Sequence, residues 1–326
     1  MCPDGDGAWL KENAMSCYVG GAEANVATAL ALWGIPSAYF TALPDDLMGH
    51  QLTDYLEERG IDTSRVLYQG TRVGLYFLPK GKDLKNAGVI YDRAHSSFSD
   101  LQPGSIDWDK VFQDTAWLHF SAISPALNSR VALVCEEALR AASDKKITIS
   151  VDLNYRAKLW QYGAQPVEVM PGLVKYCDLV MGNLWAAEKM LGIPVDGSIT
   201  ENSIKEEYLA HAGRTSEEIM RRWPRTKIVA NTFRFDRNGV GIRYYTALYA
   251  GNKLYQSREY LADRIVDKVG SGDCFMGGLI YGRYSGKDYQ ETLEFATAAA
   301  FQKLFISNDA TDQRVEEIEK FMQAYE

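Results

Sequence analysis

The chain has 326 residues, 46% of them hydrophobic, enough to bury one large core or a core with a small appendage. Its 35 basic and 43 acidic side chains leave a net charge of −8, which argues against a nucleic-acid partner gripped through its phosphates. No apolar run approaches ~18 residues, so no membrane span is expected, and Met1-Cys2-Pro3-Asp4-Gly5-Asp6 is too acidic and too broken to read as a cleavable signal.

The first predicted element is an Ala-rich helix in Gly20-Gly21-Ala22-Glu23-Ala24-Asn25-Val26-Ala27-Thr28-Ala29-Leu30-Ala31-Leu32-Trp33-Gly34, with Val26, Leu30 and Trp33 on one stripe and Gly34 as its stop. The glycine pair in front of it lets a backbone come close to a ligand. Ser37 to Leu43 reads as a strand, and Leu52, Tyr55 and Leu56 mark a helix that ends at Gly60. From Thr71 to Phe98 the pattern changes to a hairpin: Gly74-Leu75-Tyr76-Phe77-Leu78 and Val89-Ile90-Tyr91 flank the polar turn Lys80 to Asn86.

Further on, Ile147-Thr148-Ile149-Ser150-Val151, Leu179-Val180-Met181 and Lys227-Ile228-Val229-Ala230 look like buried parallel strands with helical stretches between them. The alternation predicts an α/β chain with a mostly parallel sheet covered by helices. Ligands in such sheets bind beyond the carboxyl ends of the strands, where Asp152-Leu153-Asn154-Tyr155-Arg156 and Asn183 fall.

The run Asp267-Lys268-Val269-Gly270-Ser271-Gly272-Asp273-Cys274-Phe275-Met276-Gly277-Gly278-Leu279-Ile280-Tyr281-Gly282 reads as a tight turn feeding a buried helix. Its unpaired N–H groups and the positive end of the helix dipole form an anion site. Asp273 then has two readings: a helix cap, or a carboxylate that takes a proton from a substrate hydroxyl. The run is neither a dinucleotide fingerprint nor a Walker loop, since it lacks the third glycine of the one and the Gly-Lys-Ser/Thr of the other.

These two runs, in this order and at this separation, resemble the two signatures of the ribokinase-like (PfkB) carbohydrate kinase family, and the resemblance covers most of the chain. It implies a three-layer ribokinase-like fold in a single kinase domain over residues 1–326, with a small β lid from about 7–19 and 71–98. It also implies an ATP-dependent kinase that requires Mg2+ and phosphorylates a sugar hydroxyl. Asp273 would be the general base, and the N–H groups of Gly270, Ser271 and Gly272 the anion hole. Asp267 would hold substrate or order the loop. The sugar would meet Gly20, Gly21, Asn25, Tyr76, Tyr91, Arg93, Asn154 and Arg156, and the nucleotide Asn183, Gly270, Gly272 and Asn308.

The substrate reading rests on arginines. Asp152-Leu153-Asn154-Tyr155-Arg156 with Leu159-Trp160 resembles a stretch shared by fructokinases and 2-keto-3-deoxygluconate kinases, and Tyr91-Asp92-Arg93-Ala94-His95-Ser96 resembles one typical of the second group. Arginine grips a carboxylate through two parallel hydrogen bonds, which a neutral sugar does not require. The expected reaction is therefore phosphorylation of 2-keto-3-deoxygluconate to its 6-phosphate. Fructose or another neutral sugar is the alternative, and a non-catalytic sugar-binding relic is a second.

Two departures from the family pattern stand out. Asn183-Leu184-Trp185-Ala186 places Ala186 where the family carries a glutamate that helps to organise magnesium, with Glu188 as a substitute, and Gly239 and Gly241 are weak candidates for the nucleotide loop. The family's opening strand with its Gly-Glu or Gly-Asp pair is also missing ahead of Gly20, so the expectation is a truncated start, or a gap covered by Leu10 to Val19 and an oligomer partner at the lid. The five cysteines have no paired metal spacing and fit a reduced cytosolic protein; none of the four histidines is assigned to metal or catalysis.

Overall fold

The computed structural model describes residues 2–3, 15–78, 89–200, 203–237, 239 and 241–325. Of the expected lid, residues 7–14 and the turn Lys80 to Asn86 lie outside the described residues. The chain divides into two compact units, one of residues 1–100, 234–244 and 259–326, the other of residues 101–233 and 245–258.

The first unit opens with β1 (Cys2–Pro3), antiparallel to β2 (Met15–Ser16), and continues through α1 (Ala22–Leu32), β3 (Ser37–Ala38), β4 (Ala42–Leu43), α2 (Leu47–Glu57), β5 (Ile61–Asp62) and β6 (Leu67–Tyr68). Ser37 to Leu43 is thus two short strands and not one. The chain changes partner across Tyr39–Thr41, so that β3 runs parallel to β5 and β4 parallel to β6. The Tyr39 N–H donates to Asp62 O (2.9 Å) and the Leu67 N–H to Thr41 O (2.9 Å), which satisfies the backbone through the switch. The expected hairpin is present: β7 (Leu75–Phe77) pairs antiparallel with β8 (Ile90–Asp92), with Tyr76 directly opposite Tyr91.

The second unit holds α3 (Trp108–Val111), β9 (Trp117–Ser121), α4 (Ser129–Asp144), β10 (Thr148–Asp152), α5 (Pro166–Val174), β11 (Leu179–Gly182), α6 (Leu184–Leu191) and α7 (Lys205–Arg222), followed by β12 (Ile228–Arg237), β13 (Gly241–Ala250) and β14 (Lys253–Gln256). The sheet order is β14-β13-β12-β11-β10-β9, and the four strands β9 to β12 are parallel. The unit boundaries fall inside β12 and β13. β12 continues to Arg237, well beyond the predicted strand end at Ala230. Gly241 begins β13 because a Cβ there would stand 2.4 Å from Ala262 O, a close approach only glycine permits.

The first unit resumes with β15 (Tyr260–Ala262), paired to β13, then α8 (Ser271–Tyr284), α9 (Tyr289–Lys303) and α10 (Val315–Ala324). α1 is buried continuously from Ala24 to Leu30 instead of along one stripe, because α8 covers one side and β3 and β5 another. Trp33 closes that packing edge-on against Tyr281 (5.7 Å between centroids) and Phe295 (5.2 Å).

The glycines of α8 set how near α9 can come. A Cβ on Gly278 would lie 2.5 Å from Ala296 Cα, and one on Gly282 2.9 Å from Thr292 Cα. The two helices therefore touch through backbone at these points. Gly278→Val should cost about 1–3 kcal/mol through overpacking and lower the melting temperature by several degrees, read by thermal denaturation followed by circular dichroism. An unchanged melting temperature would show that α9 can retreat without loss.

Candidate active site

The turn Val269–Gly270 delivers the chain into α8. Asp267 Oδ1 accepts the Val269 N–H (3.0 Å), and Gly270 takes φ +73°, a conformation that glycine adopts without the penalty of a side chain. A Cβ at Gly270 would also lie 1.7 Å from Asp309 O, so the second requirement there is space for another backbone. The first hydrogen bond of the helix is donated by Cys274 N–H to Gly270 O (2.8 Å), so the N–H groups of Ser271 and Gly272 lie ahead of the helix's own acceptors. The Ser271 side chain is not available for chemistry, because its hydroxyl donates to Ala300 O (3.0 Å) and pins α8 to α9.

Asp273 is in the first turn of α8 and is not its cap: Gly270 holds the cap position, and no side chain caps the helix there. Instead, Asp273 Oδ2 accepts a hydrogen bond from Asn25 Nδ2 (2.7 Å), a buried amide on α1. The two runs singled out in the sequence, 248 positions apart at these residues, therefore meet through this bond. Gly21 begins α1 with φ +143°, and its carbonyl accepts the Asn25 N–H (2.8 Å). Gly20 supplies space: a Cβ there would lie 2.1 Å from the Tyr76 hydroxyl and 2.7 Å from Asp309 Oδ2.

Asp309 and Lys303 belong to this site, and sequence reasoning passed over both. The Tyr76 hydroxyl donates to Asp309 Oδ2. Burial raises the Asp309 carboxyl above its ordinary range, the Tyr76 hydrogen bond opposes that, and nearby Asp267 adds to it. Burial, then Asp309, pushes the Tyr76 phenol far upward. Asn308, expected at the nucleotide, is exposed, and the buried neighbour Asp309 is the residue that enters the cluster. Its signal was the isolated acid after an apolar run, which by itself does not distinguish a turn from a site.

On the hairpin, Arg93 lies two residues beyond Tyr91 and so on the same face. Its guanidinium carbon is 5.1 Å from the Tyr91 ring centroid and 5.6 Å from that of Tyr76. Arg93 makes no ion pair among the described residues, whereas nearby Arg72 is committed to Asp92 through a bond of 2.6 Å.

The second unit carries its own polar group at the carboxyl ends of β9 and β10. Ser121 pairs in register with Asp152. Asp152 Oδ1 accepts the Asn154 N–H (2.9 Å), and Asn154 Nδ2 donates to Ser121 Oγ (3.3 Å). Arg156 is exposed, with Nη1 donating to the carbonyl of Tyr155 (3.1 Å). Asn183 caps α6, its Oδ1 accepting the Ala186 N–H (2.8 Å).

Glu188 accepts the Val195 N–H (3.3 Å) and pairs with Lys189 (3.2 Å); these contacts, the backbone bond first, hold its carboxyl below the usual range. No group of three or more His, Cys, Asp or Glu among the described residues forms a metal cage. A magnesium ion that arrives on a nucleotide needs only one or two carboxylates, but Glu188, the expected substitute ligand, is already engaged.

A carboxylate thus stands in the first turn of a glycine-lined helix and is held to α1 by a buried amide. Residues 6–312 match the pfkB family carbohydrate kinase model. The chain belongs to this family and is a carbohydrate kinase with the ribokinase-like fold. It is similar to the crystal structure of 2-dehydro-3-deoxygluconokinase from Thermotoga maritima, with 35% identity, TM-score 0.89, and coverage of 99% of this chain and 94% of that one. It is 25% identical over 304 residues to 2-dehydro-3-deoxygalactonokinase of Haloferax volcanii, spanning 93% of this chain and 86% of that protein. A putative ribokinase II from E. coli, solved with ATP and Mg2+, shares the fold at 18% identity and TM-score 0.75, over 99% of this chain and 95% of that one.

Proposed function

We propose that the chain phosphorylates a keto-deoxy sugar acid with ATP and Mg2+, with 2-keto-3-deoxygluconate (2-dehydro-3-deoxygluconate) as the acceptor and its 6-phosphate as the product. The observation that carries the kinase chemistry is the Asn25–Asp273 bond at the first turn of α8. Asn25 fixes one oxygen of the Asp273 carboxylate. Asp273 accepts the proton of the acceptor hydroxyl as that oxygen forms its bond to the γ-phosphorus and the bond to the ADP oxygen breaks. Negative charge that builds on the transferring phosphoryl oxygens meets the N–H groups at the start of α8, supported by the helix dipole. Asp267 orders the turn through its bond to the Val269 N–H.

Support for an acid acceptor comes from Arg93, a guanidinium close to two tyrosine rings with no ion pair among the described residues. The Thermotoga and Haloferax relatives, both named for sugar acids, favour the same class. Arg156 enters the proposal through its sequence context alone.

The test is ATP turnover with a panel of acid and neutral sugars. Wild type should prefer 2-keto-3-deoxygluconate to fructose. Arg93→Lys, which keeps the charge and loses the fork, should raise KM for the acid about 10-fold and leave neutral sugars within a few-fold. Arg156→Lys tests the second arginine in the same assay. Preference for fructose in wild type, or equal losses on both classes of sugar, would overturn the acid reading.

A further inference from the structure

Lys303 ends α9, where a lysine ordinarily reaches into solvent while its charge favours the last helical carbonyls. Here the side chain turns inward and is 0% exposed. Nζ donates to Ile306 O (3.2 Å), the only hydrogen-bond partner of the ammonium among the described residues, although an ammonium has three donors. The stem packs at the catalytic turn: a Cβ placed on Gly270 would stand 3.3 Å from Lys303 Cε and 1.7 Å from Asp309 O. Lys303, Gly270 and the Ile306–Asp309 loop therefore form one junction directly ahead of Asp273.

A buried ammonium is costly unless opposite charge offsets its desolvation. Burial does push Lys303 below its ordinary range, and Asp267, Asp309 and Asp273 all act in the other direction. The same charge lowers the neighbouring Cys274 thiol, which burial nevertheless pushes up to about 12. Asn25 from α1 bonds Asp273, and Tyr76 from β7, Cys274 from α8 and Lys303 from α9 interact with its charge; Arg93 beyond β8 acts on Tyr76, and Asp267 from the turn and Asp309 from the loop after α9 act on Lys303. Lys303 is the buried cation among these acids.

We propose that Lys303 is a positioning residue of the reaction: its ammonium ties the Ile306–Asp309 loop against Gly270 and offsets the negative charge of the acids gathered there, which favours the charged, proton-accepting form of Asp273. This rests on the reading of Asp273 as the base. Lys303 touches no reacting atom. Its effect runs through Asp273 and the turn, and its signature is a shift in pH dependence together with a loss of kcat.

The experiment compares kcat/KM against pH for the full chain, Lys303→Met and Lys303→Gln. Without the cation, Asp273 holds its proton to higher pH. The acid limb should therefore move up by ~1 pH unit or more in both variants, and kcat should fall by up to ~10-fold on that limb, with recovery as pH rises. KM for the sugar should change little. Lys303→Gln keeps a donor for Ile306 O without the charge, so it should match Lys303→Met in the pH shift while staying nearer wild type in melting temperature. It also decides the matter if Lys303→Met does not fold. A folded variant that loses activity with an unmoved acid limb, or one that keeps wild-type kcat, would overturn the proposal. A wild-type chain that phosphorylates no sugar would remove the kinase reading and this role together, whereas an active wild type with unshifted variants removes this role alone.

Discussion

Asp273→Asn should reduce kcat by ~10²-fold or more while leaving sugar KM and melting temperature close to wild type. The asparagine carbonyl still accepts the bond that Asn25 Nδ2 makes to Asp273 Oδ2 in the native chain, and Gly270 still holds the cap position, so the fold keeps its supports. What disappears is the basic oxygen. Loss of the negative charge from the first helical turn costs only about 0.3–1 kcal/mol, too little to unfold a chain of this size. Steady-state kinetics with the preferred sugar, paired with a thermal melt, check both halves. Activity within a few-fold of wild type would remove Asp273 from the reaction, and a collapsed melting temperature would make it structural.

Gly270→Ala should produce the contrasting result, a loss of both activity and stability. The new methyl group would need φ near +73°, which L side chains avoid, and would sit 1.7 Å from Asp309 O, a backbone atom with little freedom to yield. Either the turn or the Asp309 loop must move by an ångström or more. Displacement of that order at a reacting centre costs ~10²-fold in kcat/KM. The strain should also lower the melting temperature by about 5 °C or more. If Gly270→Ala retained both, the positive φ and the close approach to Asp309 would have no part in building the site.

The contrast between these substitutions separates two uses of one short run. Gly270 and Ser271 hold the turn against α9 and its following loop, through the space at Gly270 and the Ser271 hydroxyl on Ala300 O. Asp273 is held across to α1 by Asn25.

The sequence by itself determined the parallel strands β10, β11 and β12, the helices α1 and α8, the hairpin of β7 and β8, and the place of Asp273. These are local: alternation, glycine stops and apolar runs act within a few residues, and a helix or turn declares itself over that range. The tertiary structure alone decided the rest. It divided Ser37–Leu43 between two partners, because pairing depends on Ile61–Asp62 and Leu67–Tyr68, strands that lie further along the chain. It buried α1 all round, because α8 returns from far along the chain to cover it. It buried Asp309 and turned Lys303 inward. Neither has a local cause, since a charged side chain in a loop or at a helix end is buried only when something distant partners it: for Asp309 the Tyr76 hydroxyl, and for Lys303 the acids gathered around Gly270.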